Sequence, residues 1–429
     1  MRPLSDILRY DLCIGCGLCE AVDPQCRMQL SEKGFYRPAP VPTASECTER
    51  LWRLCPGVCV KSEGRTNTKA WGSVVSVANA WARDKEVRHL ASSGGVTSAL
   101  AIYLLESGQV DGILHVGVDE DSWLHNSLHI SRSREEVLSR AASRYAPALV
   151  FNHLFDILDA HPEERFCFIG KPCDVAAVRN LQREDAKRFG RIKHCLAIFC
   201  AGMPNYEATR QAVSTFGVEE EPISLRYRGD GWPGNFTATF PSGKEAKMTY
   251  NESWGKILGR QLGFRCKVCP DGIGLLADIA SGDSWNTKDG YPDFTESEGR
   301  NFCFVRTERG QRLLDESIKA GYVESEPIDV EQVKVMQAYQ YQRRHIVGWR
   351  IGVVQLMTRG IFRFKGLGYN RMAMKTNIFH ALKDALGTMR RLRKIVEMGG
   401  GKQLTTSYLR VSRRSMLQVW KGDSLALAA

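Results

Sequence analysis

Residues 13 to 24 read CIGCGLCEAVDP, and three cysteines at successive two-residue gaps constrain the fold more than any other feature of the chain. An iron-sulfur cube needs four thiolates converging on one body, and a tight C-x2-C-x2-C turn delivers three of them with backbone N–H groups aimed at the sulfides. Cys13, Cys16 and Cys19 have that spacing, and Gly15 and Gly17 permit the close turn. A bacterial ferredoxin run would place a fourth cysteine before the proline, but here Asp23 precedes Pro24. In two-cluster ferredoxins that fourth cysteine serves the other cluster, while a distant Cys-Pro completes the local three. The Cys-Pro of RLCPGVC therefore makes Cys55 the expected fourth ligand, ahead of Cys26, Cys47 and Cys59, and leaves Asp23 out of the set. Zinc is the alternative metal, although four-cysteine zinc sites usually come as two separated pairs.

The rest of the chain sets the context for that run. At 429 residues it exceeds one ordinary core, so two or three units are expected. Its 14 cysteines would suit a disulfide scaffold only behind an export signal, and MRPLSDILRYDLC has no apolar stretch of that kind. The longest apolar run, VTSALAIYLLESG, is too short to span a bilayer and carries Glu106. The expected location is cytoplasmic, where paired cysteines signify metal or redox chemistry.

Net charge is +11, and it is unevenly placed: after residue 330 there are 19 Lys and Arg against 4 Asp and Glu, which leaves the preceding part slightly acidic. The runs MRRLRKIV (389–396) and RVSRRSML (410–417), with GGG at 399–401, read first as a solvated helical face and second as a surface for anionic lipid, as in peripheral membrane contact, or for an acidic partner. No nucleic-acid signature accompanies the charge, so nucleic acid is not an expected partner.

Three regions are expected: a ferredoxin-like iron-sulfur segment over 1–65, an α/β core over 66–330, and a helical basic region over 331–429, with the polar SEGRTNTKA as a linker. SVVSVANAWA, DGILHVGV, RFCFIG and HCLAIFC read as strands, while GGVTSALAIYLLES and DVAAVRNLQRE read as helices. The alternation predicts an α/β fold with a largely parallel or mixed sheet and flanking helices. ISLRYRGDGWPGNFTATF reads as a β insertion around a Gly-rich loop.

A second cysteine set lies in this core. Cys266 and Cys269 form CKVCPD, Cys173 sits in GKPCD at a strand-to-helix turn, and Cys200 ends CLAIFC. Cys173 and Cys200 fall at carboxyl ends of predicted strands, where open α/β sheets place their sites. Singly each reads as an inert buried thiol; together the four supply one locus. Cys167, Cys195 and Cys303 read as core.

Ser92, Ser93, Gly94 and Gly95 precede an apolar helix, a place that serves equally as a phosphate site or as a plain N-cap. Lys171 adds a point cation suited to phosphate. Arg226, Arg228 and Trp232 surround a Gly-Asp-Gly turn, with Trp232 available to stack on a ring. Asp278 and Asp283 flank a short strand, and Asp283 and His194 are the candidate proton donors.

In this order, SSGGVTSALAIYLLESGQVDGILHVG, GKPCDVAAVRNL, FCAGMPN, CKVCPD and ASGDSW resemble the beta-subunit family of the coenzyme F-420 (deazaflavin) hydrogenases and dehydrogenases, over about 70–330. CIGCGLC resembles the ferredoxin-like segment that often precedes that core. The family also contains ferredoxin-dependent reductases of chlorophyll biosynthesis and members in surface-polysaccharide gene sets. The resemblance implies noncovalent FAD and two 4Fe-4S clusters, with electrons passing between a ferredoxin or a hydrogenase/dehydrogenase-type partner and a small-molecule or lipid-linked substrate. By position, Cys173, Cys200, Cys266 and Cys269 would ligate the core cluster, and Ser92, Ser93, Gly94, Gly95 and Lys171 would lie near FAD. The expected function is that of an iron-sulfur flavoprotein oxidoreductase. The alternatives are an electron-transfer subunit with no substrate of its own and a zinc-stabilised binding protein.

Overall fold

A computed structural model describes residues 2–62 and 70–399. The runs 410–417 and most of the linker SEGRTNTKA lie outside the described residues, as does all but Gly399 of the GGG run.

The core is an eight-stranded mixed sheet. Its strands in chain order are β1 (Ser76–Ala82), β2 (Gly112–Val118), β3 (Asn126–Ser131), β4 (Phe166–Gly170), β5 (Ile192–Ile198), β6 (Ile279–Asp283), β7 (Asn301–Val305) and β8 (Val323–Pro327). Their spatial order is β8-β1-β7-β6-β5-β4-β2-β3. The four central strands β2, β4, β5 and β6 run parallel, and every flanking pair is antiparallel. Parallel central strands are covered on both faces, which accounts for the near-continuous apolar sequence of β4, and the antiparallel β7 is buried throughout as well. Phe166, Cys167, Phe168, Cys195 and Cys303 are accordingly fully buried.

Two helices pack on this sheet where the sequence placed them. α1 (Val96–Glu106) is apolar almost all round, and α2 (Pro172–Glu184) buries Val175, Ala176, Val178 and Leu181. Pro172 occupies the first turn of α2, where its missing N–H costs nothing and its fixed φ suits the helix. The β insertion forms a separate three-stranded antiparallel sheet of Ser224–Arg226, Phe236–Thr239 and Glu245–Met248.

The region after 330 is mostly helical, led by α3 (Ala338–Met357) and α4 (Ile378–Met398), but it also contributes a strand that the helical reading did not anticipate. Arg363–Lys365 pairs in parallel with Cys59–Lys61 of the N-terminal segment. Phe362 and Phe364 stack at 4.4 Å and are buried, so that desolvation of two rings holds the short pairing. One continuous apolar cluster includes Leu12 just before the cysteine run and Leu18 within it, Val178 and Leu181 of α2, and Val347, Ile351 and Leu392 from the C-terminal helices.

Candidate functional site

Gly15 and Gly17 adopt φ of +71° and +85°, the left-handed conformation that glycine takes without strain. A side chain at Gly17 would meet the Asn152 backbone nitrogen at 2.9 Å, so the turn lies directly against the core. The Cys16 carbonyl accepts hydrogen bonds from the N–H groups of Val150 (3.0 Å) and Phe151 (2.9 Å). The turn thereby brings Cys13, Cys16 and Cys19 to one place, and Cys55 reaches it from the end of the helix Ser45–Leu54.

Burial, then the charges of Cys55 and Cys13, push the Cys16 thiol well above its usual range. Cys19 is raised by burial and then by Cys55, Cys13 and Cys16. The Cys55 thiol is pushed up to about 12, chiefly by burial and then by Cys13. Cys26 stands at the margin of the group, raised to about 11 by burial and then by Asp23, Glu20 and Cys13. The thiol of Cys59 is raised by burial, and the charges acting on it are Lys61, Arg363, Arg183 and Lys365 rather than those of the cysteine group. Asp23 accepts a hydrogen bond from the Gln25 N–H at 3.0 Å, an ordinary turn closure.

The second set converges in the same way. Cys173 lies in the first turn of α2, raised by burial and then by Asp174, with further contributions from Cys200 and Cys269. Cys200 is pushed up to about 12 by burial and then by Cys266. Cys266 is raised by burial and by Cys269.

Thiolates crowded together in a buried place repel one another, and such a charge is tolerated when a metal group neutralises it. Backbone N–H groups point at the sulfurs: Gly15 at Cys13 (3.4 Å), Leu18 at Cys16, Gly57 and Val58 at Cys55, and Met203 at Cys266. That donor pattern suits sulfur-rich clusters. Among the described residues no group of three or more His, Cys, Asp or Glu side chains meets the geometry of a metal site.

The two sets are structurally joined. Arg265, next to Cys266, donates from Nε to the Gly57 carbonyl (2.6 Å) and from Nη2 to the Pro56 carbonyl (2.7 Å), both in the loop after Cys55. Asp174, almost fully buried, acts on the thiols of both Cys16 and Cys173.

Helix α3 braces the second set from the region read as a basic tail. Arg343 donates to the carbonyls of Cys200 and Cys266, each at 3.0 Å. Arg344 donates to Pro270, Ala70 and Leu367, and Arg350 to Lys267 while pairing with Asp384. Sequence reasoning missed these arginines and Arg265. The available signal was Arg343–Arg344 interrupting the apolar side of α3, and an Arg immediately before the C-x2-C.

Beside the second set opens a cavity of about 240 Å³, lined by Ser92, Ser93, Gly95, Thr97, Lys171 and Asp174, with Arg144, Arg228, Asp283 and Asn301. The volume lies just under the ~300 Å³ at which small-molecule sites begin. Neither serine caps α1: its N-cap is Gly95 at φ +74°, and the Val96 N–H that opens the helix donates to Asn301 Oδ1 at 3.4 Å. Ser92 Oγ accepts from the Ser143 N–H, and Ser93 Oγ donates to the Arg300 carbonyl at 2.9 Å. The α1 N-terminus therefore faces the cavity as a dipole end suited to an anion. Gly94 lies behind, where a side chain would meet Asn301 N at 2.8 Å.

Lys171 is paired with Asp174 at 2.7 Å. Burial opposes its charge, but Asp174 and Cys173 outweigh burial and raise its pKa. Arg228 grips Asp283 with both terminal nitrogens, at 2.9 and 3.1 Å, and Trp232 donates to the same carboxylate at 3.2 Å. Trp232 stacks on Trp285 at 4.7 Å, so its ring face is taken by protein. Asp278 is held by Arg179 and Thr307. His194 lies near the opposite end of β5, in a groove with Lys193, Arg309 and Arg312, away from the cavity.

Two segments match a known family, the "Coenzyme F420 hydrogenase/dehydrogenase, beta subunit": residues 77–154 fit the model of its N-terminal part, and residues 163–331 fit the model of its C-terminal part. The chain belongs to this family of beta subunits. Among its relatives, the coenzyme F420 hydrogenase subunit beta of Methanococcus voltae is 27% identical over 60% of this chain and 86% of the relative. The coenzyme F420-dependent sulfite reductase of Methanocaldococcus jannaschii is 24% identical over 79% of this chain and half of the relative. A chain of the F420-reducing [NiFe] hydrogenase complex from Methanosarcina barkeri superposes with a TM-score of 0.52 at 21% identity, covering 70% of this chain and 97% of that one, a likeness of fold. The matched segments contain the cavity loops and the second cysteine set, while the first set and helices α3 and α4 lie outside them.

Proposed function

We propose that the chain is an iron-sulfur flavoprotein oxidoreductase passing electrons between a ferredoxin or hydrogenase/dehydrogenase-type partner and a substrate at the cavity. The observation that carries this reading is the sequence in space of two four-cysteine groups, joined by Arg265 and Asp174, and a cavity beside the second. Membership of a family whose relatives include hydrogenase and dehydrogenase subunits supports it.

Cys13, Cys16, Cys19 and Cys55 would hold one 4Fe-4S cluster, and Cys173, Cys200, Cys266 and Cys269 the other. Ser92, Ser93, Gly94, Gly95 and Lys171 would border FAD. Clusters supply single-electron transfer, and a flavin exchanges one or two electrons. The protein's own part is positional and electrostatic. Arg343 and Arg265 fix the cysteine loops by their carbonyls, the α1 N-terminus receives anionic charge, and the Arg228–Asp283 pair closes the cavity with its polar groups satisfied.

Anaerobic purification with iron, sulfide and released-flavin assays tests the reading: iron and flavin together support it, and neither after reconstitution overturns it. The rival reading is an electron-transfer subunit with no substrate of its own, favoured by the relatives named as subunits of larger enzymes. Chemically reduced protein that passes electrons to a deazaflavin without any second protein supports the first reading. Turnover only after a separate subunit is added supports the rival.

A further inference from the structure

Helix α4 buries Ala381, Ala385, Thr388, Leu392 and Val396, the stripe expected of a helix packed against α3. A second apolar stripe is left uncovered: Ile378, Phe379, Leu382 and Leu386 are exposed, and Met374 just before the helix extends the patch. Phe379 is 77% and Met374 65% exposed, values unusual for side chains that cost free energy in water. At about 100° per residue the four helical positions share one arc. Lys383, Arg390 and Lys394, all exposed, fall in the adjoining arc. The helix has two acids, of which Asp384 is held by Arg350 at 2.6 Å and Glu397 alone is exposed. Beyond the described residues the sequence continues with five Lys and Arg and a single Asp.

Isolated exposed apolar residues are ordinary, but a contiguous stripe bordered by one sign of charge marks a contact surface. We propose that this face of α4 docks on an anionic lipid surface, with Phe379, Leu382 and Leu386 entering the headgroup boundary and the lysine-arginine row facing acidic headgroups. The charge argues for this occupant: a second copy would bring the same positive row against itself. Among the described residues no helix is long and apolar enough to cross a membrane, so the contact is peripheral. Neither cysteine group nor the cavity contributes a residue to this face, so the surface stands apart from the redox site.

The test uses the full chain sedimented with vesicles of phosphatidylglycerol and phosphatidylcholine in equal parts, and with phosphatidylcholine alone. Binding to the first, weakened by salt, is expected, with Phe379→Glu/Leu382→Glu reducing partitioning by about tenfold or more. Iron, flavin and circular dichroism should be unchanged in the double variant, because both positions are exposed. Three outcomes overturn the proposal: no binding to either vesicle, undiminished binding by the double variant, or a wild-type dimer in sedimentation velocity that the double variant converts to monomer.

Discussion

Arg265 donates from Nε to the carbonyl of Gly57 at 2.6 Å, across more than two hundred residues of sequence, and so fixes the loop after Cys55 to the residue before Cys266. The guanidinium is almost fully buried and also lies over the Phe364 ring at 5.2 Å. It ties the N-terminal segment, the core and the C-terminal strand at one point.

Removing that group should be felt by both cysteine sets. Arg265→Ala leaves the carbonyls of Pro56 and Gly57 without this donor, which costs about 1–3 kcal/mol for each buried acceptor. Lower stability in denaturant and reduced iron content are expected. Arg265→Lys should recover only part, because an ammonium is a point donor without the guanidinium fork.

Cys55 and Asp23 are the contrasting positions in the first set. Cys55→Ser should lose about half of the iron while retaining flavin, whereas Asp23→Ala should lose neither, since Asp23 closes only a turn with Gln25. Iron and flavin per chain check both. Loss of iron from Asp23→Ala would assign the aspartate as a ligand and remove Cys55 from that role.

Gly94 tests the back wall of the cavity. A Cβ there would lie 2.8 Å from Asn301 N and 2.9 Å from Arg300 Cα, backbone atoms that cannot rotate away. Gly94→Ala should displace the loop or the start of β7, cost about 1–3 kcal/mol and lower flavin content, with iron in the first set retained.

His115 gives the chain a predictable acid sensitivity. Burial, with Arg140 nearby, lowers its pKa from 6.5 to about 3, and Nε2 lies 2.7 Å from Ser131 Oγ. The unfolded chain then binds a proton that the folded chain refuses, so stability is full above pH 6.5 and falls as pH drops towards 3. The slope is about 1.4 kcal/mol per pH unit at most. Denaturant unfolding of wild type and His115→Gln between neutral and mildly acid pH checks this: the difference should shrink as pH falls, and a constant difference would contradict it.

Much of this architecture was legible. β4 and β5 announced themselves as apolar runs because central parallel strands are buried on both faces, and the glycines at 15 and 17 stood where left-handed turns are needed. The arginines of α3 were not legible. A guanidinium that binds buried carbonyls, such as Arg343 or Arg344, has the same letter as one in water, so part of the basic surplus after 330 was read as solvated when it braces the Cys266 loop. The pairing of Arg363–Lys365 with Cys59–Lys61 was hidden for another reason. Three residues show no periodicity, and what holds them is the Phe362–Phe364 stack that only the tertiary structure assembles. Trp232 was read as available to stack on a bound ring, and the ring it stacks on in the fold is Trp285.

Two four-cysteine groups and the cavity beside them, acting as one redox unit, are the centre of the proposed function. The most direct measurement is the iron and flavin content of anaerobically prepared full-length protein, with Cys55→Ser and Cys266→Ser alongside. About eight irons and one flavin per chain are expected, falling to about four irons in either variant. Metal content that is zinc alone, or iron unchanged by both substitutions, would contradict it.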